Sequence, residues 1–185
     1  MNDLLMKKTL MNAGAIQRTL DRMAFEIVER QGGPEQLALV GIHTAGGPLA
    51  RRLQKRIASQ HNVDVQVGMI DITLYRDDAF TGLPHPIVGR TELPFEVTGQ
   101  RIIVIDDVLY TGRTIRAALD ALMDFGRPQC IQLAVLVDRG HRELPIQADI
   151  TGYQVQTDVN QSVQVQLIEE GADEDAVILR EKRNS

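Results

Sequence analysis

The 185-residue chain has one cysteine, Cys130. A single thiol cannot close an internal disulfide, so a cross-linked secreted scaffold is excluded and cytoplasmic residence is the expectation. Apolar runs all stop well short of the ~20 residues that a membrane helix needs, so no membrane association is expected. Positive charge is scarce too: 20 Lys and Arg against 25 Asp and Glu leave a net charge of -5. No global field therefore draws the chain onto nucleic acid or anionic lipid, and any nucleic-acid contact has to come from a local patch. Internal repeats and low-complexity segments are absent. Met1 to Met11 lack the continuous apolar stretch of a signal peptide and read as a frayed lead-in. Also missing are Gly-x-x-x-x-Gly-Lys-Ser/Thr and Gly-x-Gly-x-x-Gly, which sets aside the P-loop ATPases and the dinucleotide-binding dehydrogenases.

What is present is an apolar content of 43%, enough for one good core and a single domain over residues 1–185. Ile16, Leu20, Met23 and Ile27 recur at helical spacing from Asn12 to Arg30, with Gly32-Gly33-Pro34 as the stop. Leu37 to Ile42 reads as a buried strand, and Leu49, Leu53 and Ile57 as the helix after it. Val63 to Tyr75, rich in β-branched residues, is expected to be extended throughout. Glycines and prolines scattered between Asp77 and Gly99 predict a long loop. Arg101 to Ile105 is a third strand, Thr114 to Phe125 a helix closed by Gly126, and Ile131 to Val137 a fourth strand. Val163 to Ile168 alternates strictly, and a charged, mobile tail is expected after Glu169. Strands alternating with helices imply an α/β fold around a mostly parallel, twisted sheet flanked by helices.

The chemistry is concentrated between the third strand and its helix. Asp106 and Asp107 stand where an apolar strand gives way to Thr111-Gly112-Arg113-Thr114 at a helix start. Amides at that start carry the positive end of the helix dipole, the two threonines add hydroxyl donors, and Gly112 permits close approach, so a phosphate monoester fits there. Two carboxylates next to a phosphate must face another part of the ligand, and the vicinal hydroxyls of a ribose are suitable donors. Together these features describe a pentose phosphate.

The run from Val104 to Thr114 resembles the phosphoribosylpyrophosphate-binding motif of the type I phosphoribosyltransferases. Asp71-Ile-Thr-Leu-Tyr-Arg-Asp-Asp78, Asp107-Val-Leu-Tyr-Thr-Gly-Arg113 and Val137-Asp-Arg-Gly-His-Arg-Glu-Leu-Pro-Ile146 are similar to the pyrimidine-operon attenuation regulator and uracil phosphoribosyltransferase family, across roughly Ile16 to Ile168. The resemblance implies the type I phosphoribosyltransferase fold with a flexible hood loop at about 76–99. It also implies formation of UMP and pyrophosphate from uracil and phosphoribosylpyrophosphate, with Mg²⁺ bound mainly through the substrate and no dedicated protein metal site. Homo-oligomers, dimers or larger, are the expected assembly.

On that footing Asp106 and Asp107 hold the ribose hydroxyls, and Val108, Leu109, Tyr110, Thr111, Gly112, Arg113 and Thr114 surround the ribose and 5-phosphate. Thr44, Ala45 and Gly46 wrap the pyrophosphate. Many relatives carry a basic residue in place of Ala45, which Arg51, Arg52 or His43 would have to replace. Arg76 folds over the leaving group and belongs with the acidic pair to the catalytic set. Val137, Asp138, Arg139 and His141 face the base. The resemblance further implies binding to the leader of pyrimidine-biosynthesis mRNA, for which Arg18, Arg22, Arg51 and Arg142 are the candidates. At positions where relatives present Thr, Arg and His this chain has Asp21, Arg22 and Phe25, and Gln147 and Tyr153 stand where Arg and Lys are common. Two alternatives remain open at this level: a non-catalytic sensor of UMP or phosphoribosylpyrophosphate, and a purine phosphoribosyltransferase.

Overall fold

The computed structural model describes residues 7–77 and 89–181. Its centre is a five-stranded sheet, β2 (Leu37–Ile42), β3 (Gln66–Ile70), β4 (Arg101–Leu109), β5 (Cys130–Asp138) and β6 (Ile150–Gln154), ordered β3-β2-β4-β5-β6. Every neighbouring pair in it is parallel. Parallel sheets need cover on both faces, and the period-two alternation of the strands supplies two apolar faces. Leu39, Ile103, Ile105 and Leu136 turn to one side, against α1 (Ala13–Gln31) and α2 (Gly46–His61). Val40, Ile102, Val104 and Val135 turn to the other, against α3 (Arg113–Met123).

Local chemistry accounts for the helix ends. Asn12 caps α1 by accepting from the Ala15 amide at 2.9 Å, and Gly32 closes it in a left-handed conformation, φ 67°. The α3 helix is shorter than expected. It stops at Met123 with Asp124 as its cap rather than at Phe125 with Gly126.

Beside this sheet stands an antiparallel one in the order β1-β8-β7, formed by β1 (Lys7–Asn12), β7 (Gln161–Gln166) and β8 (Ala176–Glu181). Two expectations are corrected by it. Lys7 to Met11 is not a frayed lead-in, because β1 pairs with β8 from Lys7↔Arg180 to Asn12↔Ala176. Nor are residues 170–181 a mobile tail: β8 lies between β1 and β7, and Val177 is fully buried. Backbone groups with partners on both sides are fixed whatever the charge of their side chains.

The stretch Val63 to Tyr75 is extended only over β3 and then turns into a 3₁₀ turn at Thr73–Tyr75. Asp71 causes the change by offering its carboxylate to the amides of Thr73 at 2.9 Å and Gly89 at 3.0 Å, in competition with a strand ladder. Of the expected hood at about 76–99, residues 78–88 lie outside the described residues. Its far flank is docked: Glu92 bridges Met69, and Val97 is buried in the second core.

Candidate functional site

β2 and β4 are neighbours, but the chain leaves their carboxyl ends in opposite directions, to α2 on one face and α3 on the other. Open parallel sheets form a ligand crevice at such a point. The loops that enter it are the ones singled out from sequence, 44–46 after β2 and 108–114 after β4.

β4 carries the acidic pair, and it runs further than expected. Ladder pairing with β5 continues to Leu109↔Asp138, whereas pairing with β2 stops at Gly41↔Ile105. Asp106 and Asp107 therefore lie on the strand itself, just beyond its last pair with β2. Asp106 is buried; its carboxylate accepts from the Asp107 amide at 3.0 Å, and the Asp107 carboxylate accepts from the Val108 amide at 2.9 Å. Burial first, then the charge of Asp107, push Asp106 well above the ordinary carboxylate range; burial also raises Asp107.

The helix starts are close by and lack side-chain caps. Gly112 precedes α3 at φ 93°, a conformation open mainly to glycine, and Ala45 precedes α2; neither cap residue supplies a side-chain hydrogen bond, although Thr111 Oγ1 accepts from the Arg113 amide at 3.4 Å. First-turn amides on both helices thus have no partner within their helix. Gly46 brings α2 onto β4 so tightly that a Cβ there would lie 2.4 Å from the Ile105 carbonyl. The preceding peptide, His43–Thr44, is cis.

A cavity of about 260 Å³ is lined by Arg76, Asp77 and the whole run Val108 to Ile115. Arg76 is thus on the rim of the expected phosphate cavity. α3 steers it there through Arg116, which donates to the Tyr75 carbonyl at 2.9 Å, while the Tyr75 hydroxyl meets Asp124. Arg113 spans the mouth, 2.6 Å from Asp77 and 2.6 Å from Glu143.

Among residues expected to face the base, Val137 is fully buried within β5 and Asp138 is paired with Arg142 at 2.5 Å. The Arg139 guanidinium is buried over the Tyr110 ring, 3.9 Å from its centroid. His141 is exposed, edge-on to the same ring with centroids 5.8 Å apart. Of the arginines proposed to replace a basic residue at Ala45, Arg52 is engaged by Asp175 and Glu169. His43 instead meets the Arg90 carbonyl at 3.0 Å, and Arg51 is exposed on α2.

The candidate nucleic-acid residues are partly engaged inside the fold. Arg22 donates to the carbonyls of Thr151 and Gly152, at 3.1 and 2.6 Å. Arg142 reaches the carbonyls of Ile146, Tyr110 and Gly140 as well as Asp138. Arg142 and Thr151, whose carbonyl Arg22 binds, line the same cavity at the ends of β5 and β6. Arg18 is exposed on α1.

Sequence reasoning missed Glu170. It ends a second 3₁₀ turn (Ile168–Glu170) and is raised above its ordinary range by burial and by the charge of Asp107. Nothing local to Glu169-Glu170 announces this, because its placement depends on Arg52 gripping Glu169 and Asp175 from α2.

Comparison with known proteins agrees with this arrangement. The family described as "Phosphoribosyl transferase domain" matches residues 7–174. "Bifunctional protein PyrR" of Thermus aquaticus is 56% identical over 179 residues, covering 97% of this chain and 98% of that one. Its namesake from Deinococcus deserti is 54% identical over 163 residues, 88% and 89% of the two chains. Among solved structures, the hypoxanthine phosphoribosyltransferase of Trypanosoma cruzi superposes with a TM-score of 0.70 at 17% identity, covering 95% of this chain and 97% of that one. A hypoxanthine-guanine phosphoribosyltransferase of Bacillus anthracis gives 0.64 at 19% identity over 81% and 83%. These structural likenesses speak for the fold alone.

Proposed function

The chain belongs to the phosphoribosyl transferase family and, within it, to the PyrR proteins; from that premise we propose that it transfers the phosphoribosyl group of phosphoribosylpyrophosphate to uracil, giving UMP and pyrophosphate, and controls pyrimidine-biosynthesis genes through their mRNA leader. The observation that carries the enzymatic reading is the meeting of the buried acidic pair with two uncapped helix starts at the switch point of a parallel sheet. One ligand with a phosphate, a ribose and a pyrophosphate satisfies all three.

Thr111, Gly112, Arg113 and Thr114 receive the 5-phosphate, with Val108, Leu109 and Tyr110 forming the wall that leads to the ribose. Thr44, Ala45 and Gly46 present backbone to the pyrophosphate at the start of α2. Asp106 and Asp107 accept from the ribose hydroxyls. Breaking the bond from C1 to pyrophosphate builds positive charge on the sugar, and the carboxylates are held where they oppose it without reorganising. Arg76, on the cavity rim, meets charge on the leaving group. Val137, Asp138, Arg139 and His141 border the base.

The residues suit a Mg²⁺ brought in by the substrate. Two carboxyls whose burial raises their proton affinity are hard oxygen donors that a cation relieves, and Asp106 and Asp107 are the groups that would face it. When bound, the ion supplies charge neutralisation on the pyrophosphate. In the regulatory role, Arg18, Arg22, Arg51 and Arg142 supply the positive charge, with Arg142 lining a cleft whose Thr151 is held by Arg22.

Incubation with labelled uracil, phosphoribosylpyrophosphate and Mg²⁺ tests the reading; UMP is expected, and its absence at saturating substrate ends the enzymatic assignment. Hypoxanthine in place of uracil is expected to yield no nucleotide.

A further inference from the structure

His141 and Arg139 are held by one residue that neither the motif nor the family comparison brings forward, Thr157. It lies between β6 and β7 and is buried, 9% exposed. Its hydroxyl accepts from Arg139 Nε at 3.1 Å and lies 3.4 Å from the Arg139 carbonyl. Its own carbonyl oxygen stands 2.6 Å from His141 Nε2. Arg139 continues to the Gln161 carbonyl at 2.7 Å, where β7 begins. The loop after β5 is therefore fastened to the second sheet by Thr157, with Gly140 and His141 both at positive φ, 76° and 61°, as the tight turn between the two fastened residues.

The chemistry of the His141 contact determines where its proton is. A carbonyl oxygen can only accept, so at 2.6 Å Nε2 has to be the donor. In the neutral ring that leaves Nδ1 as a bare lone pair. The ring is exposed and stands edge-on to Tyr110, and Tyr110 lines the nucleotide cavity. An acceptor fixed beside that cavity suits a ligand that presents a ring N–H.

The geometry points to Thr157 as the positioning residue for base recognition: its carbonyl locks His141 in the Nε2–H tautomer, so that Nδ1 accepts the ring N–H lying between the two carbonyls of uracil. This rests on the proposed uracil chemistry and deepens it. It separates uracil from cytosine, whose corresponding ring nitrogen is an acceptor and would confront a second lone pair. Thr157 acts only through His141 and Arg139.

Two measurements on the full chain test this. With ¹⁵N-histidine, a long-range proton–nitrogen correlation is expected to show Nε2 protonated and Nδ1 bare without nucleotide, with the Nδ1 resonance moving when UMP is added. A protonated Nδ1 in the free protein overturns the proposal whether or not any UMP is made, so this result is separable from failure of the enzymatic reading. In kinetics, losing one hydrogen bond to the base is worth about tenfold. His141→Phe is accordingly expected to raise the KM for uracil about that much with the KM for phosphoribosylpyrophosphate unchanged. His141→Asn, whose amide oxygen can take the place of Nδ1, is expected to recover most of the loss. Thr157→Val should likewise raise the uracil KM, and Thr157→Ser should restore it. Equal losses in the two His141 variants, or a matching rise in the KM for phosphoribosylpyrophosphate, overturn it.

Discussion

Replacing Asp107 with Asn is expected to lower kcat/KM about 10²- to 10³-fold, the usual result of removing one preorganised group aimed at transition-state charge, while the free protein becomes more stable rather than less. The two effects have one origin. Asp106 and Asp107 are buried side by side, and both carboxyls are raised above their ordinary range, chiefly by burial. A group whose proton affinity is higher in the folded than in the unfolded chain contributes stability that is full below the ordinary carboxylate range. That contribution is lost as pH rises through the folded value. At neutral pH the pair is therefore a cost to the free protein, and Asn removes part of it. Thermal unfolding should show the gain of Asp107→Asn at neutral and alkaline pH and its disappearance in acid, where the native pair is already protonated. A melting temperature lower than that of the parent at pH 7, or an unchanged rate of UMP formation, would contradict the role given to the pair.

Arg52→Met is expected to produce the largest loss of stability, about 3–5 kcal/mol, as when one partner is taken from a buried ion pair. Arg52 is 13% exposed and lies 2.5 Å from Asp175, which is 3% exposed, and 2.5 Å from Glu169. Asp175 also accepts from the Ile168 amide at 3.1 Å. Without the guanidinium a buried carboxylate is left facing one amide. The sign of the pH dependence is opposite to that of the acidic pair. Arg52 holds Asp175 and Glu169 below their ordinary range, so their contribution is present above the unfolded carboxylate value and is lost as pH falls through the folded values. Urea titrations should find the gap between parent and variant widest near neutrality and narrowing in acid. Asp175→Asn in the Arg52→Met background keeps an acceptor for the Ile168 amide and should recover part of the loss. A gap below about 1 kcal/mol at pH 7 would show that the cluster is solvated, as surface pairs are.

The clamp also bears on function. Arg52 ties α2, whose start is proposed to meet the pyrophosphate, to the 3₁₀ turn that ends in Glu170. Its loss should therefore weaken catalysis beyond the loss of folded protein.

Much of the site was legible before any coordinates. An apolar strand, an acidic doublet and a Thr-Gly-Arg-Thr helix start are adjacent in the chain, so their local conformation and their chemistry can be read together. Less legible was how far β4 runs. Polar residues ordinarily mark a strand end, but β5 continues the ladder to Leu109↔Asp138 and carries the carboxyls inward. Arg52 was a candidate for the pyrophosphate by its place in the chain, yet its partners lie 117 and 123 residues away. Thr157 was invisible for the same reason, since its worth comes from Arg139 and His141, 18 and 16 residues off.

By itself the sequence determined the alternation of strand and helix, the two apolar faces of the central sheet and the acidic doublet with its Thr-Gly-Arg-Thr helix start, because each is a periodicity or a run of contiguous groups. Only the tertiary structure decided that Lys7–Asn12 and Ala176–Glu181 pair as strands, that Arg52 pairs with Asp175 and Glu169, that Glu170 feels the charge of Asp107, and that Thr157 holds Arg139 and His141. Backbone pairing, ion pairing and proton affinity are set by what lies within a few ångströms, and here those neighbours come from opposite ends of the chain.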